Sequence, residues 1–137
     1  MAKQIQISVS IPATMTKVWE CFTTPSHITG WNQASPDWHC PYAENDLKTG
    51  GKFKSTMAAK DGSVSFDFEG TYTHVVPHQL IEYAMGDGRK VTVTFTQSGN
   101  DVMVSESFDP ENIHSHEMQK AGWQAILDSF RNHVLAH

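Results

Sequence analysis

The stretch from Met118 to Val134, which reads MQKAGWQAILDSFRNHV, decides the fold of this chain. Its large apolar residues recur at helical spacing, which is typical of a long helix with one face against a core. The stripe consists of Trp123, Ile126, Leu127, Phe130 and Val134, and the residues predicted to face water are Gln119, Lys120, Gln124, Asp128, Arg131 and Asn132. We therefore expect a helix at about 115–135 that covers one side of a pocket.

Gly122 is the anomaly in this helix. A glycine inside a helix costs about 1 kcal/mol relative to alanine. The sequence therefore favours a role for Gly122 in close backbone approach or in leaving space, and we count it among the candidate pocket residues.

Length and charge restrict the classes of function. The 137 residues suit a single domain, 1–137, with a sizeable core. Ten Lys and Arg against fifteen Asp and Glu give a net charge of −5, and the basic residues are scattered. This pattern argues against nucleic-acid or anionic-membrane binding. The N-terminus enters a strand pattern directly, and no apolar run approaches the ~18 residues of a membrane span, so a soluble, cytoplasmic protein is predicted.

Cysteines and histidines do not form a recognisable metal or cofactor motif. Cys21, on a predicted helix face, and Cys40, in a predicted loop, lack Cys-x-x-Cys spacing and are interpreted as free thiols. In the run 114–117, His-Ser-His-Glu, the two histidines are two residues apart and do not share a helical face. His133 and His137 are expected to be exposed. We predict no metal, no cofactor and no nucleophilic centre.

The first fifty residues predict a strand followed by helices. Residues 4–11 alternate, with Ile5, Ile7, Val9 and Ile11 on one face. Pro12 ends that strand, Thr14 can cap a helix, and Pro25 begins a second short one that ends at Gly30. Residues 31–51 are interpreted as a loop with many large rings.

Residues 51–108 predict a meander of strands separated by turns at 61–62, 77, 86–88 and 98–101. A strand, two helices, five or six further strands and one long helix make an α+β order, β-α-α-β(5–6)-α. The curved antiparallel sheet must cover its apolar face, and the final helix is long enough to do so.

These features together resemble the START-like helix-grip superfamily, also called SRPBCC. The branch is similar to the activator of heat-shock-protein ATPase homologue (AHSA-type) and to polyketide cyclase-like single-domain proteins. The matching pieces are Ile11-Pro12-Ala13, Val18-Trp19, Thr24-Pro25, Gly30-Trp31, Gly51-Lys52-Phe53, Asp61-Gly62, Phe68-Glu69-Gly70, Pro77, Glu106-Ser107-Phe108 and residues 119–127, QKAGWQAIL. The resemblance implies a helix-grip fold with a hydrophobic cavity between the sheet and the last helix, and a gate in the segment before the sheet. Similar proteins include lipid carriers, hormone receptors, cyclases and chaperone regulators.

Glu106 is the sharpest polar anomaly. Alternation places it on the same side as Val104 and Phe108, where a carboxyl needs a partner or a raised pKa. It either contacts a ligand from the cavity wall or reaches solvent at the strand end. His74 shares parity with Phe66, Phe68 and Tyr72, and an inward His74 would make an acid/base pair with Glu106. The alternative, a structural or exposed histidine beyond a strand end or bulge before Pro77, is favoured.

The ring-rich segment Trp31, Trp38, His39 and Tyr42 either contacts a flat ligand or plugs the core. The residues that we predict to bind a ligand are Trp31, Trp38, His39, Phe66, Phe68, Tyr72, His74, Tyr83, Glu106, Gly122, Trp123 and Ile126.

Three functions remain open at this point. The first is a binding protein, more in keeping with a non-catalytic role, for a small apolar or aromatic molecule or lipid. The second is a cyclase- or hydratase-type enzyme that uses Glu106 with His74 or Tyr83. The third, implied by the resemblance alone, is a domain that regulates a chaperone ATPase. A monomer or a weak homodimer fits each of them.

Overall fold

A curved, seven-stranded antiparallel sheet carries the helices of this protein, and the computed structural model describes residues 4–137. The elements are β1 Ile5–Ile11, α1 Met15–Thr23, α2 Pro25–Ile28, β2 Trp38–Asn45, β3 Lys52–Ala59, β4 Ser65–Val76, β5 Leu80–Met85, β6 Lys90–Ser98, β7 Asp101–Phe108 and α3 His116–Ala136. The strand order is β1-β7-β6-β5-β4-β3-β2, so the first two strands form opposite edges of the sheet. The predicted α+β helix-grip architecture is confirmed.

Strict alternation of side chains builds the inner face of the sheet. In β7, Val102, Val104, Glu106 and Phe108 are all buried, while the residues between them are partly exposed. Val104 lies opposite Val9 of β1 on one side and opposite a residue of β6 on the other. Since side chains alternate across a strand, one face of β7 lies entirely in the core.

Helix α3 covers the apolar face as expected. The hydroxyl of Ser115 caps its first turn by accepting a hydrogen bond from the Met118 backbone N–H, at 3.1 Å. Leu127, Phe130 and Val134 are almost wholly buried. Within residues 4–137, none of the helices is both long and apolar enough to cross a membrane.

The polar side of α3 has more structural roles than its sequence predicts. Gln124 and Arg131 donate hydrogen bonds to the backbone carbonyls of Ser8 and Ser10, so they cover the edge of β1. Gln119, predicted to face water, is buried, because its amide group bonds to the backbone of the segment that precedes the helix.

Strand β2 corrects the interpretation of residues 31–51 as a loop. The sequence pattern does not indicate this strand, because Pro41 lies inside it and the pairing with β3 shifts between His39 and Tyr42. Both features are typical of an edge strand, where a missing N–H costs no ladder bond and a bulge is tolerated. Cys40 therefore lies in a strand, and it and Cys21 are free thiols, as predicted.

Two further expectations are wrong. A Cβ added at Gly122 would meet no atom within 4 Å beyond its chain neighbours and the backbone of its own helix, so close backbone approach does not explain this glycine. His133, predicted to be exposed, is 8% exposed. Its ring packs between those of His27 and His137, which the sequence pattern does not bring together.

Candidate ligand-binding cavity

A cavity of about 250 Å³ lies between the inner face of the sheet and the helices. Strands β3, β4 and β5 form its floor, α3 covers one side, and the α1–α2 region closes another. The side chains that line it are Phe22, Thr23, Ile28, Trp31, Asn32, Phe53, Ser55, Met57, Phe66, Phe68, Tyr72, Ile81, Tyr83, Glu106, Trp123 and Ile126. The walls are mostly apolar and aromatic, as in most small-molecule sites.

The structure brings eight of the candidate residues together around this cavity. They are Trp31, Phe66, Phe68, Tyr72, Tyr83, Glu106, Trp123 and Ile126. These residues lie on strands β4, β5 and β7, on α3 and in the segment just after α2, which are far apart in sequence. Alternation within strands and the apolar stripe of α3 placed them on inner faces, and the curvature of the sheet makes those faces converge.

The other four candidates do not line the cavity. Trp38 lies near the rim, with its ring 6.0 Å from that of Phe66, and His39 is exposed on β2. Gly122 lines a separate concavity of about 300 Å³, which Phe68 and Trp123 also line.

His74 points away because β4 carries a bulge. Tyr72 pairs with Tyr83 and His74 pairs with Glu82, so Thr73 is an extra residue on β4. One extra residue exchanges the faces of all the side chains that follow it. Tyr72 is therefore buried and His74 is exposed, as the favoured interpretation has it, and His74 does not form the alternative pair with Glu106.

Several lining residues were missed by the sequence interpretation. Phe53, Ser55 and Met57 alternate on β3, and that alternation was a usable signal. Phe22 lies on α1, where it packs against the core and also lines the cavity. Asn32 carries no sequence pattern, since it lies in an irregular segment.

Aromatic contacts hold the cavity walls in place. The ring of Phe53 lies 4.8 Å from that of Tyr83 and 5.2 Å from that of Tyr72. On the helix side, the ring of Trp123 stacks on Phe108 at 4.0 Å and 11°. Such pairs add stability beyond the burial of their area, so these rings form a preorganised surface.

Trp31 offers only its ring to the cavity. Its indole N–H donates a 2.9 Å hydrogen bond to the backbone carbonyl of Cys21, and the ring packs against Phe22 and Phe130. A ligand at this wall therefore finds an apolar surface without a free donor.

Glu106 supplies the carboxyl group of the cavity lining. It lies at the centre of β7 between Ile7 and Val93, and it is 8% exposed. Burial alone raises its pKa from 4.5 to about 8, without a hydrogen bond or a neighbouring cation to lower it. Among the described residues, every fully buried side-chain nitrogen or oxygen atom has a hydrogen-bond partner. Because the Glu106 oxygens have none, they must border the open space of the cavity.

The two tyrosines of the cavity hold their protons firmly. The pKa of Tyr83 is well above its ordinary value, mainly because the phenol is buried, and electrostatic repulsion from Glu106 and Tyr72 raises it further. Burial raises the pKa of Tyr72 as well. Near neutral pH the cavity therefore presents two phenols and a mostly protonated carboxyl, which are neutral groups that can donate and accept hydrogen bonds.

Residues 12–134 match the family model described as Activator of Hsp90 ATPase homolog 1-like protein, AHSA1. The chain belongs to the AHSA1 family. The predicted resemblance is thereby confirmed for nearly the whole length of the chain. Among curated proteins no relative matches.

Three solved structures are similar to this chain over nearly its whole length. The solution structure of the AHSA1-like protein from Aeromonas hydrophila shares 42% identity and has a TM-score of 0.89, covering 96% of this chain and 93% of that one. A solution structure from Cytophaga hutchinsonii shares 53% identity with a TM-score of 0.84, covering 96% and 91%. A crystal structure from Nitrosomonas europaea, at 13% identity and a TM-score of 0.83, covers 98% and 95% and shares the fold alone.

Proposed function

We propose that this AHSA1-family chain binds a small, mainly apolar molecule that has an aromatic ring and one neutral polar group. The observation that supports this proposal is Glu106, whose buried carboxyl lies inside an aromatic cavity and has no hydrogen-bond partner among residues 4–137. Burying an unpaired polar group costs free energy that an apolar residue at the same position would avoid. A ligand hydroxyl or carbonyl would supply the missing hydrogen bond.

The size of the cavity limits the ligand. Its volume of about 250 Å³ lies just below the range of about 300–1,000 Å³ that is usual for small-molecule sites. A molecule with one or two rings fits this volume, whereas a sterol or a long acyl chain requires the helices to move. Among the ligand classes considered from the sequence, the structure therefore favours small aromatic compounds over lipids.

The polar group on the ligand is expected to be neutral. Because the pKa of Glu106 is about 8, its carboxyl is mostly protonated at pH 7 and both donates and accepts hydrogen bonds. A phenol or an alcohol matches this state, and an anionic carboxylate does not, since it finds no cation among the lining side chains.

Binding is favoured over paired acid/base catalysis. His74, the nearest predicted partner of Glu106, lies on the outer face of β4. Tyr83 lines the cavity, but its raised pKa keeps the phenol protonated, so Tyr83 is poorly suited to donating a proton in a reaction at neutral pH.

The indole NMR signals of the four tryptophans can be used to follow ligand binding. Trp31 and Trp123 line the cavity, Trp38 lies near its rim, and Trp19 lies in the core outside the lining. We would titrate labelled protein with 2-naphthol and with naphthalene. We expect saturable indole shifts at Trp123 and Trp31, with little change at Trp19, and about tenfold tighter binding of the naphthol because of its hydrogen bond.

Variants separate the polar contact from the apolar pocket. Glu106→Leu should bind both compounds with similar affinity, and Glu106→Gln should keep part of the preference for the naphthol. His74→Gln is the matched control and should behave like the wild type, because its side chain is outside. If neither 2-naphthol nor naphthalene, nor a wider set of phenols, indoles and flavonoid-like compounds, shifts Trp31 and Trp123, the proposal is wrong.

A further inference from the structure

Three potential metal ligands from three different helices meet outside the cavity. Cys21 lies on α1, His27 on α2 and His133 on α3. The Cys21 sulfur and one ring nitrogen from each histidine lie within 4.8 Å of one another. None of the three side chains lines the ligand cavity, so this cluster is a separate feature of the molecule.

The His133 ring is held in one orientation. Its Nε2 lies 2.9 Å from Nδ1 of His27. On the other side Gly30 packs so closely that a Cβ there would lie 2.6 Å from the His133 Cε1 and 2.8 Å from its Nδ1. The His137 ring stacks on His133 at 4.0 Å, and its Nδ1 bonds to the His133 carbonyl. These contacts direct Nε2 of His133 toward the cluster.

The hydrogen bond between the two histidines shows that one ring nitrogen carries a lone pair. Ring nitrogens 2.9 Å apart form a hydrogen bond only when one of them has lost its proton. A lone pair is thus available on at least one imidazole, and neutral imidazole is the form that binds metals.

We propose that Cys21, His27 and His133 form a binding site for a transition-metal ion of the zinc type. A thiolate with two imidazoles is a typical ligand set for zinc, and the lack of a carboxylate in the cluster argues against calcium or magnesium. Tetrahedral coordination requires ligand atoms to be about 3.3–3.6 Å apart. Small side-chain rotations would widen the 2.9 Å separation of the two ring nitrogens and adjust their distances to the sulfur, which are at most 4.8 Å. The metal would replace the Cys21 thiol proton and the hydrogen bond between the histidines.

The position of the cluster allows an ion to enter. Cys21 and His133 are buried, but His27 is only half-buried and belongs to α2, a helix of four residues. The exposed His137 is adjacent, with its ring 5.9 Å from that of His27. The fourth coordination position is therefore open to water or to His137.

Cobalt titration tests the site directly. The full-length protein is freed of metal by dialysis against a chelator and titrated with Co²⁺, whose bond to a thiolate gives a charge-transfer band in the near ultraviolet. We expect one equivalent of Co²⁺ to bind and one equivalent of Zn²⁺ to displace it. The band should be lost in Cys21→Ser, and His27→Gln should weaken binding at least tenfold. Cys40→Ser, which removes the other buried thiol, and His116→Gln, which removes an exposed histidine, should bind like the wild type.

A second measurement covers the case in which Cys21→Ser fails to fold, which circular dichroism would reveal. NMR of the wild-type histidine side chains should show Zn²⁺-dependent shifts at His27 and His133 before those at His114 and His116. The proposal is overturned if the wild type gives no thiolate band, if the band persists in Cys21→Ser, or if His27→Gln binds as tightly as the wild type. Shifts confined to exposed histidines would likewise show adventitious binding only.

Discussion

At the scale of single residues, Glu106 links the cavity to the pH dependence of folding. Its pKa is about 8 in the folded protein, against an ordinary value of 4.5. Between these two values the folded state keeps a proton that the unfolded state has released. Rising pH therefore favours unfolding across this window, and the effect is complete above about pH 8. Below about pH 4 both states are protonated and the contribution disappears.

We predict that Glu106→Gln removes this pH dependence. From pH 5 to pH 8 the wild type should lose about 3 kcal/mol of stability relative to the variant, since each unit of pKa shift corresponds to about 1.4 kcal/mol. Urea unfolding of both proteins at the two pH values measures the difference, and comparison with the variant cancels the other titrating groups. Parallel pH profiles for the two proteins would mean that Glu106 is not buried as a neutral carboxyl.

At the scale of elements, two glycines that lie inside regular elements differ in how closely other atoms pack against them. Gly122 lies inside α3, and a Cβ there would meet no atom within 4 Å beyond its chain neighbours and the backbone of its own helix. Gly70 lies inside β4, and a Cβ there would lie 2.6 Å from the ring of Phe53 and 2.8 Å from the carbonyl oxygen of Ala84. Only Gly70 is therefore needed for close packing.

We predict that Gly122→Ala stabilises the protein by about 0.5–1 kcal/mol, the helix-propensity difference between the two residues. Gly70→Ala should destabilise it by about 1–3 kcal/mol, because the Phe53 ring and a neighbouring carbonyl must shift. Thermal or urea unfolding of the two variants measures both effects. If Gly122→Ala is destabilising, this position has a role that the packing of α3 does not reveal.

Strands explain where the sequence interpretation succeeds and where it fails. Regular alternation placed Glu106 on the inner face of β7, and the structure has it there. The same reasoning failed at His74, because the extra residue Thr73 reverses the faces beyond it, and no local signal marks that bulge. β2 was missed for a related reason, since Pro41 within an edge strand looks like a loop residue.

At the scale of the whole molecule, the fold was predictable and the meeting of distant helices was not. The apolar stripe of α3 and the alternating strands sufficed for the helix-grip architecture. The contact between His27 and His133 depends on how α2 and α3 meet, 106 residues apart in sequence. Ile28 lines the cavity because the position of α2 also depends on these contacts between distant elements. Periodicity reports which face of an element is inward, but it does not report which inward faces meet.

We expect the cavity as a whole to serve ligand binding, although an unfilled cavity lowers the free energy of unfolding. A core selected for stability alone would fill about 250 Å³ with side chains, because voids forfeit packing contacts. A substitution that fills the space should therefore stabilise the protein and block the ligand. Ile126 suits this test, since it lies on α3, is only half-buried and points into the cavity.

We predict that Ile126→Phe raises the free energy of unfolding by up to about 1 kcal/mol and weakens binding of 2-naphthol at least tenfold, because the added ring occupies the ligand volume. Gly122→Ala on the same helix is the matched control, since Gly122 lies outside the cavity and its variant should bind 2-naphthol normally. Calorimetric titration and urea unfolding of both variants give the two quantities. If Ile126→Phe binds 2-naphthol as tightly as the wild type, the ligand lies elsewhere. If it binds weakly but is strongly destabilised, the added ring does not fit beside Ile126 and the cavity is not open there, since only an open cavity accepts the larger side chain without strain.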